Sequence, residues 1–439
     1  YVYGEGLLVS IPLSNPTNTK TNTGNKIESA VTQETGSTTN KVDLAKDWAM
    51  ANLPEVFMPI PVFVEALDID NGDLILGPRK DHFSKLHLSG SYQQFLINID
   101  DFSASHSYGD IRLLGQMSLL DDYPMDIHST ISLEKVKEIP GLNKQHLTVT
   151  VNQGFNELKS HIVGSGQFDF DLTSNIKLAN SKIPYSLNLT AKKLQWPLEN
   201  PDFITENIRM VSQGDLAEQH VNLKGDFSSP YQPKLDIDTV FSHTNAQLVF
   251  EKLHAYNSAL GDLVIQGTFD YADQLKWNAK IAAQTFDISQ LTLSKDNPLP
   301  ASDISGPINS SGKYSLLDHT WSVNLNNADL YGHVIQYPLN VVGDLAINDK
   351  WHLSSDGLNV NALQSRLFIQ GEVEKNWSLN GELTVPDLSL WQQDASGTIN
   401  ADINVSGENE HPDIEVALTA TDLEFQTLEL ETMSVNGHY

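Results

Sequence analysis

The sequence predicts an all-β fold: a long, twisted, mostly antiparallel sheet built from many short strands in succession. Three observations predict it. From Pro54 onward apolar residues recur with a period of two, the period of a strand that buries one face and wets the other. Turn signals such as Asn71-Gly72, Tyr108-Gly109-Asp110, Gly214-Asp215 and Gly261-Asp262 punctuate the apolar runs. The runs also arrive every ~10–15 residues, an all-β rhythm.

The chain starts at Tyr1 rather than Met and stops at Tyr439 inside an alternating run, so a fragment of a longer protein is expected. Residues 1–13 read as a strand of a preceding repeat. Residues 14–41 are rich in Asn, Thr, Ser and Gly and read as a disordered loop, since they have little apolar surface to bury. Residues 43–50 then suit a short helix with Leu44 and Trp48 on one face. Loop and helix together make residues 14–53 a low-complexity segment. A second short helix is expected over 132–137. Residues 54–439 read as one continuous elongated segment of degenerate repeats.

The strands of that segment follow in order. Leu86 and Leu88 alternate with Lys85 and His87; Phe95, Ile97 and Ile99 come next, then Ile111, Leu113 and Met117 on one parity. Ile127 and Ile131 continue, and Phe168 and Phe170 flank Asp169. Leu187 and Leu189 alternate with Ser186 and Asn188, and Leu235 and Ile237 sit among aspartates. Ile265, Phe269 and Trp277 are followed by Val323, Leu325, Ile369 and Leu379. Ile399, Ile403 and Val405 are separated by Asn400, Asp402 and Asn404, and Val416 and Leu418 end the series. These residues are the expected apolar lining. A loose module recurs among them: a glycine-bearing strand, a turn, and a return strand with an aromatic. Gly267-Thr268-Phe269 leads to Trp277, Gly312-Lys313-Tyr314 to Trp321, and Gly371-Glu372-Val373 to Trp377. Irregular spacing excludes a repeat of fixed period.

Composition excludes several functions. The net charge of −29 argues against nucleic acid, whose phosphates need clustered Lys and Arg. With no cysteine there is no disulfide, thiolate metal site or thiol nucleophile, and an oxidising compartment is permitted. Asp68-Ile69-Asp70-Asn71-Gly72-Asp73 has glycine fifth and Arg79 twelfth, which misses the calcium-loop pattern and leaves a hairpin turn. The histidines lack metal-ligand spacing, and Gly164-Ser165-Gly166 is no nucleophile elbow. No enzyme activity, cofactor or metal is expected.

A one-faced sheet of this length cannot leave its apolar side in water, because burial is worth ~25 cal/mol per Å². It can pack on a second sheet, close into a barrel, or curl into a U-shaped trough filled by a ligand. No low-complexity linker interrupts residues 54–439, which favours one continuous trough over separate sandwiches. Such a groove would take acyl chains at ~0.8 kcal/mol per methylene, with no catalytic residue. A filled core would give the same alternation.

Short stretches along most of the chain resemble one family. They are Pro59-Ile60-Pro61-Val62-Phe63, Tyr123-Pro124-Met125-Asp126-Ile127, Lys193-Leu194-Gln195-Trp196-Pro197, and Pro386-Asp387-Leu388-Ser389 running into Gly397-Thr398-Ile399. Together they resemble the N-terminal to middle portion of the TamB family, inner-membrane-anchored, periplasm-spanning subunits of bacterial translocation and assembly modules, in the wider AsmA-like group. The resemblance implies a β-taco groove that conducts phospholipid between inner and outer membranes, and an Omp85-type outer-membrane partner. It implies a periplasmic location, with the anchor and the partner-docking domain outside these residues. The alternative is a scaffold or chaperone-like module that helps outer-membrane β-barrel proteins assemble by pairing its sheet edges with client strands.

Overall fold

The computed structural model describes residues 2–5, 8–11, 54–76, 79–136, 139, 141–292, 299–373, 376–392, 394–408, 411–425 and 428–438. The chain divides into two compact units, Tyr1–Asn200 with Gln213–Leu216, and Pro201–Ser212 with Ala217–Tyr439. The helix expected over 43–50 and the loop over 14–41 lie outside the described residues.

In the first unit β1 (Val2–Glu5) and β2 (Leu8–Ile11) lie parallel on successive stretches of β3 (Met58–Leu76). An antiparallel meander follows: β4 (Arg79–Gln94), β5 (Leu96–His106), β6 (Gly109–Ser118), β7 (Met125–Lys135), β8 (Asn143–Gln153), β9 (Leu158–Ser165), β10 (Asp169–Ile176) and β11 (Tyr185–Trp196). The second unit holds β12 (Phe203–Gly214), β13 (Glu218–Ser229), β14 (Gln232–Thr244), β15 (Gln247–Asn257), β16 (Gly261–Asp270), β17 (Leu275–Phe286) and β18 (Ile304–Tyr314). It continues with β19 (Trp321–Val334), β20 (Tyr337–Asn348), β21 (Leu353–Ala362), β22 (Ser365–Val373), β23 (Asn376–Val385), β24 (Ala395–Glu408), β25 (His411–Phe425) and β26 (Leu428–His438). From β13 to β26 each strand pairs antiparallel with its chain neighbour. This is a meander, not the crossed connectivity of a Greek-key sandwich, and within each unit the pairing does not close into a barrel.

The all-β expectation holds, with two local corrections. Residues 132–135 belong to β7, where Ser132 pairs with His146 and Leu133 with Gln145, so cross-strand partners override the local helical spacing. Asn71-Gly72 is not a hairpin. β3 runs through it, pairing Asp70 with Lys85 and Gly72 with Phe83. Asn71 takes a φ of 58°, a left-handed geometry that Asn tolerates. Among the described residues the helical segments are two single 3-10 turns, Ile288–Gln290 and Leu388–Leu390. Asp287 and Asp387 cap them by accepting the N–H of Ser289 and Ser389, each at 3.0 Å.

The recurring module is a hairpin. β16 turns into β17 with Phe269 opposite Trp277, β18 into β19 with Tyr314 opposite Trp321, and β22 into β23 with Val373 opposite Trp377. Its glycines make room. A Cβ on Gly312, the register partner of Trp277, would lie 2.4 Å from the Trp277 ring, and one on Gly164 2.2 Å from the Phe170 ring. The ring covers the glycine opposite it, which is how a sheet keeps a bare backbone from water.

Candidate functional site: one apolar face in each unit

Residues directly opposite in an antiparallel ladder share a face of the sheet, so the register maps the face. In the first unit Leu67 and Ile69 oppose Leu88 and Leu86, which oppose Phe102 and Ala104. Those oppose Leu113 and Ile111, while Ile97 and Ile99 meet Met117 and Gly115. Ile111 and Gly115 then meet Ile131 and Ile127, which meet Leu147 and Val151. The row reaches Ile162 and Gly164, then Leu172 and Phe170, then Leu189 and Ala191, with Leu187 opposite Ser174. Twelve of the expected residues therefore share one face: Leu86, Leu88, Ile97, Ile99, Ile111, Leu113, Met117, Ile127, Ile131, Phe170, Leu187 and Leu189.

The second unit repeats the arrangement. Leu235 and Ile237 oppose Phe227 and Gly225, and Ile237 meets Ala255. Leu253 meets Ile265, and Ile265 meets Ile281; Phe269 meets Trp277, and Trp277 meets Gly312. Gly312 meets Val323 and Ser310 meets Leu325, which pair with Ile347 and Leu345. Leu358 meets Ile369, Ile369 meets Gly381, and Gly381 meets Ile403. Leu379 meets Val405, Val385 meets Ile399, Ile403 meets Val416, and Ala401 meets Leu418. All the expected residues of this unit fall on that one face.

Phe95 and Phe168 do not sit in strands. Phe95 is a turn residue between β4 and β5, packed on Phe57 with ring centroids 5.2 Å apart. Phe168 lies in the turn before β10. The Gln145 side chain holds it there, accepting the Phe168 N–H at 2.8 Å and donating to its carbonyl at 2.9 Å. Asp169 accepts the Gly166 N–H at 3.1 Å in the same turn, a fixation that alternation alone does not reveal.

Small polar residues in the apolar rows satisfy themselves. Ser129 donates to the Arg112 carbonyl at 3.0 Å, Thr239 to that of Lys252 at 3.0 Å, and the Trp277 indole N–H to Ser310 at 3.0 Å. Among the described residues no large side chain is fully buried, and Ile403 on the face is 39% exposed. Packed clusters occur locally: Leu235, Ala255 and Leu260, and Val334, Leu339, Ala362 and Leu363.

The opposite face is polar and charged. His87 pairs with Asp68 at 2.7 Å and His161 with Asp171 at 3.0 Å. Lys224 and Lys252 both reach Asp238, at 3.2 and 3.0 Å, and Lys234 bridges Glu206 and Asp226 at 2.6 and 2.9 Å. Hydrogen bonds from Lys252 and from Lys234 hold the Asp238 and Asp226 carboxyls below the usual aspartate range. Among the described residues no group of three or more His, Asp or Glu could hold a metal ion, and no helix is long and apolar enough to cross a membrane.

Fold and site define a class: an all-β protein whose meandering strands present, in each unit, one apolar face and one charged face. The comparisons specify it further. The chain belongs to the TamB family, for the model of the TamB N-terminal domain matches residues 2–439. It is 23% identical over 350 residues to the translocation and assembly module subunit TamB of Haemophilus influenzae, covering 78% of this chain and 26% of that protein. An uncharacterized protein of Buchnera aphidicola subsp. Acyrthosiphon pisum is 18% identical over 381 residues, covering 86% of this chain and 36% of its own length. The chain thus spans about a quarter to a third of these relatives. No solved structure matches.

Proposed function

We propose that residues 54–439 hold phospholipid acyl chains on the apolar face, curled as a trough, and pass lipid between the inner and outer membranes as part of a longer TamB-like periplasmic protein. The observation that carries this reading is the unbroken apolar row from strand to strand, with no large side chain fully buried among the described residues. A folded sheet needs that face covered, and fluid acyl chains cover it without directional contacts. The inner-membrane anchor and the Omp85-type partner belong to the same reading of the longer protein. Client pairing along a sheet edge has less support. The part of β3 that β1 and β2 leave unpaired carries Pro59 and Pro61, which donate no ladder hydrogen bond.

Native mass spectrometry and lipid extraction of the 439-residue chain test the proposal. Phospholipid or detergent should co-purify, and Ile403→Arg or Phe170→Asp should reduce its amount while the protein stays folded. A folded chain free of lipid and detergent refutes it.

A further inference from the structure

The hydrogen bonding of the indoles sets one position on the apolar face of the second unit apart. A row of register partners starts at Phe269 and Trp277 on β16 and β17, passes Gly312, Val323 and Val373, and reaches Trp377 and Gly407 on β23 and β24. Trp277 stands near the start of β17 and Trp377 near the start of β23. The row therefore borders one end of the strands, where the apolar face gives way to turns. Each tryptophan has a glycine as its partner on the following strand, Gly312 for Trp277 and Gly407 for Trp377. The residue two positions inward from that glycine differs: it is Ser310 beside Trp277 and Val405 beside Trp377.

The Trp277 indole N–H donates to the Ser310 hydroxyl at 3.0 Å, and that of Trp391, away from this row, donates to Ser365 at 2.7 Å. Valine offers no acceptor. Trp377 Nε1 is shut off from water and, among the described residues, has no hydrogen-bond partner. Val373, Leu379 and Val405, which share its face nearby, are apolar, and Ser378 and Ser406 pair on the opposite face. A buried donor without an acceptor is costly and rare in native interiors. Phenylalanine would cover the same face without that cost, so folding does not explain the indole.

We propose that Trp377 is a polar anchor on the apolar face, its indole N–H donating to an ester carbonyl of a bound diacyl lipid. This rests on the lipid-binding reading above. The missing acceptor has to arrive among apolar side chains. An ester carbonyl at the head of an acyl chain meets that need, being an uncharged acceptor attached to hydrocarbon. A plain hydrocarbon brings no acceptor, and an ionised phosphate would have to shed its water to enter. The place agrees with the chemistry. Tryptophan suits a boundary with one apolar side and one wet side, and from Trp377 an acyl chain can run inward along Leu379 and Ile403. The indole is half-buried, no hydrogen bond ties it, and its χ2 torsion is broad. Turning about χ2 presents the N–H, whereas Trp277 stays tied to Ser310.

The test uses the 439-residue chain with ¹⁵N-labelled tryptophan, the indole signals being assigned with W277F and W377F. It is loaded with dioleoyl phosphatidylglycerol or with the ether-linked dioleyl analogue, which has the same headgroup but no carbonyl. The Trp377 indole proton should move downfield with the ester lipid alone, and that of Trp277 should move with neither. Bound lipid with the same Trp377 signal for both overturns the anchor and leaves lipid binding standing. Absence of either bound lipid overturns both. In a second arm, vesicles holding equal amounts of the two lipids should load the ester form several-fold over the ether form. W377F should level that ratio, and so should V405S, which gives the N–H the kind of acceptor Trp277 has. A ratio near one in the unsubstituted chain, or one that survives Trp377→Phe, overturns the anchor.

Discussion

Gly312→Val tests whether the aromatic covers of the apolar face are fixed parts of the fold. A Cβ at 312 would stand 2.4 Å from Cζ2 and 2.5 Å from Cη2 of Trp277, and 2.5 Å from the Ser322 carbonyl oxygen. Both neighbours must give: the indole swings away, and the paired strand shifts to relieve the Ser322 carbonyl contact. Overpacking of this kind costs ~1–3 kcal/mol. Moving the ring also breaks the Trp277 to Ser310 hydrogen bond of 3.0 Å, worth ~1 kcal/mol. The sum is about 2–4 kcal/mol. Gly437 on β26 is the control, since nothing lies within 4 Å of a Cβ there, and Gly437→Val should be close to neutral. Urea unfolding gives the free-energy difference, and hydrogen exchange of β17 and β18 locates it. If the two valine variants unfold alike, the covered-glycine argument is wrong.

Three further predictions concern the rim, the charged face and the apolar face. Asp287→Ala removes the cap of the Ile288–Gln290 turn. It should cost ~1 kcal/mol, read as faster exchange at Ser289 and Ser302, whose N–H groups both bond this carboxylate. Asp226 and Asp238 have lowered pKa values, so their stabilisation is complete above the unfolded-state value and lost as pH falls through the lower folded value. Exchange in β13 and β14 should therefore rise below about pH 4, and K234Q with K252Q should flatten that rise. Phe170→Asp puts a carboxylate on the apolar face of the first unit. Lipid loading should drop, with faster exchange confined to β9 around the uncovered Gly164 and the rest of the unit unchanged; normal loading would remove Phe170 from the lining.

The face was legible in the sequence wherever strands are regular, and hidden wherever they bulge. Ile97 and Ile99 keep one parity, but the register shifts between Ile99 and Phe102, so Phe102 and Ala104 carry the same face on the other parity. A similar shift lies between Phe250 and Leu253. A reading by twos loses the row at each bulge and regains it only in the next regular strand. Phe102, Leu253 and Leu358 were missed for this reason, and Asp100-Asp101 at the first bulge is the signal that could have marked it. Phe95 and Phe168 fail the opposite way, with correct spacing and polarity in turns fixed by distant partners. The packed 3-10 turns were visible only as a repeated Asp-x-Ser, whose capping role depends on where the chain ends its strand.

The same glycines bear on what the face can hold. A row of protruding side chains interlocks with a fixed partner surface, as in a sandwich core where both sides are shaped to each other. Here the largest side chains settle onto glycines, Trp277 against Gly312 and Phe170 against Gly164. Ile403 lies between Gly381 and Val416, with Gly437 beyond Val416. Such a surface offers shallow relief and few pockets for a rigid knob. Under the proposed function its partner is fluid acyl chains, which supply apolar area without a matching shape. Replacing Gly437, which has open space for a Cβ, by phenylalanine therefore discriminates between the two occupants. Fluid chains should repack around the ring with lipid loading nearly unchanged. A shape-matched protein surface should lose binding sharply, and a sharp loss of lipid would count against a fluid occupant.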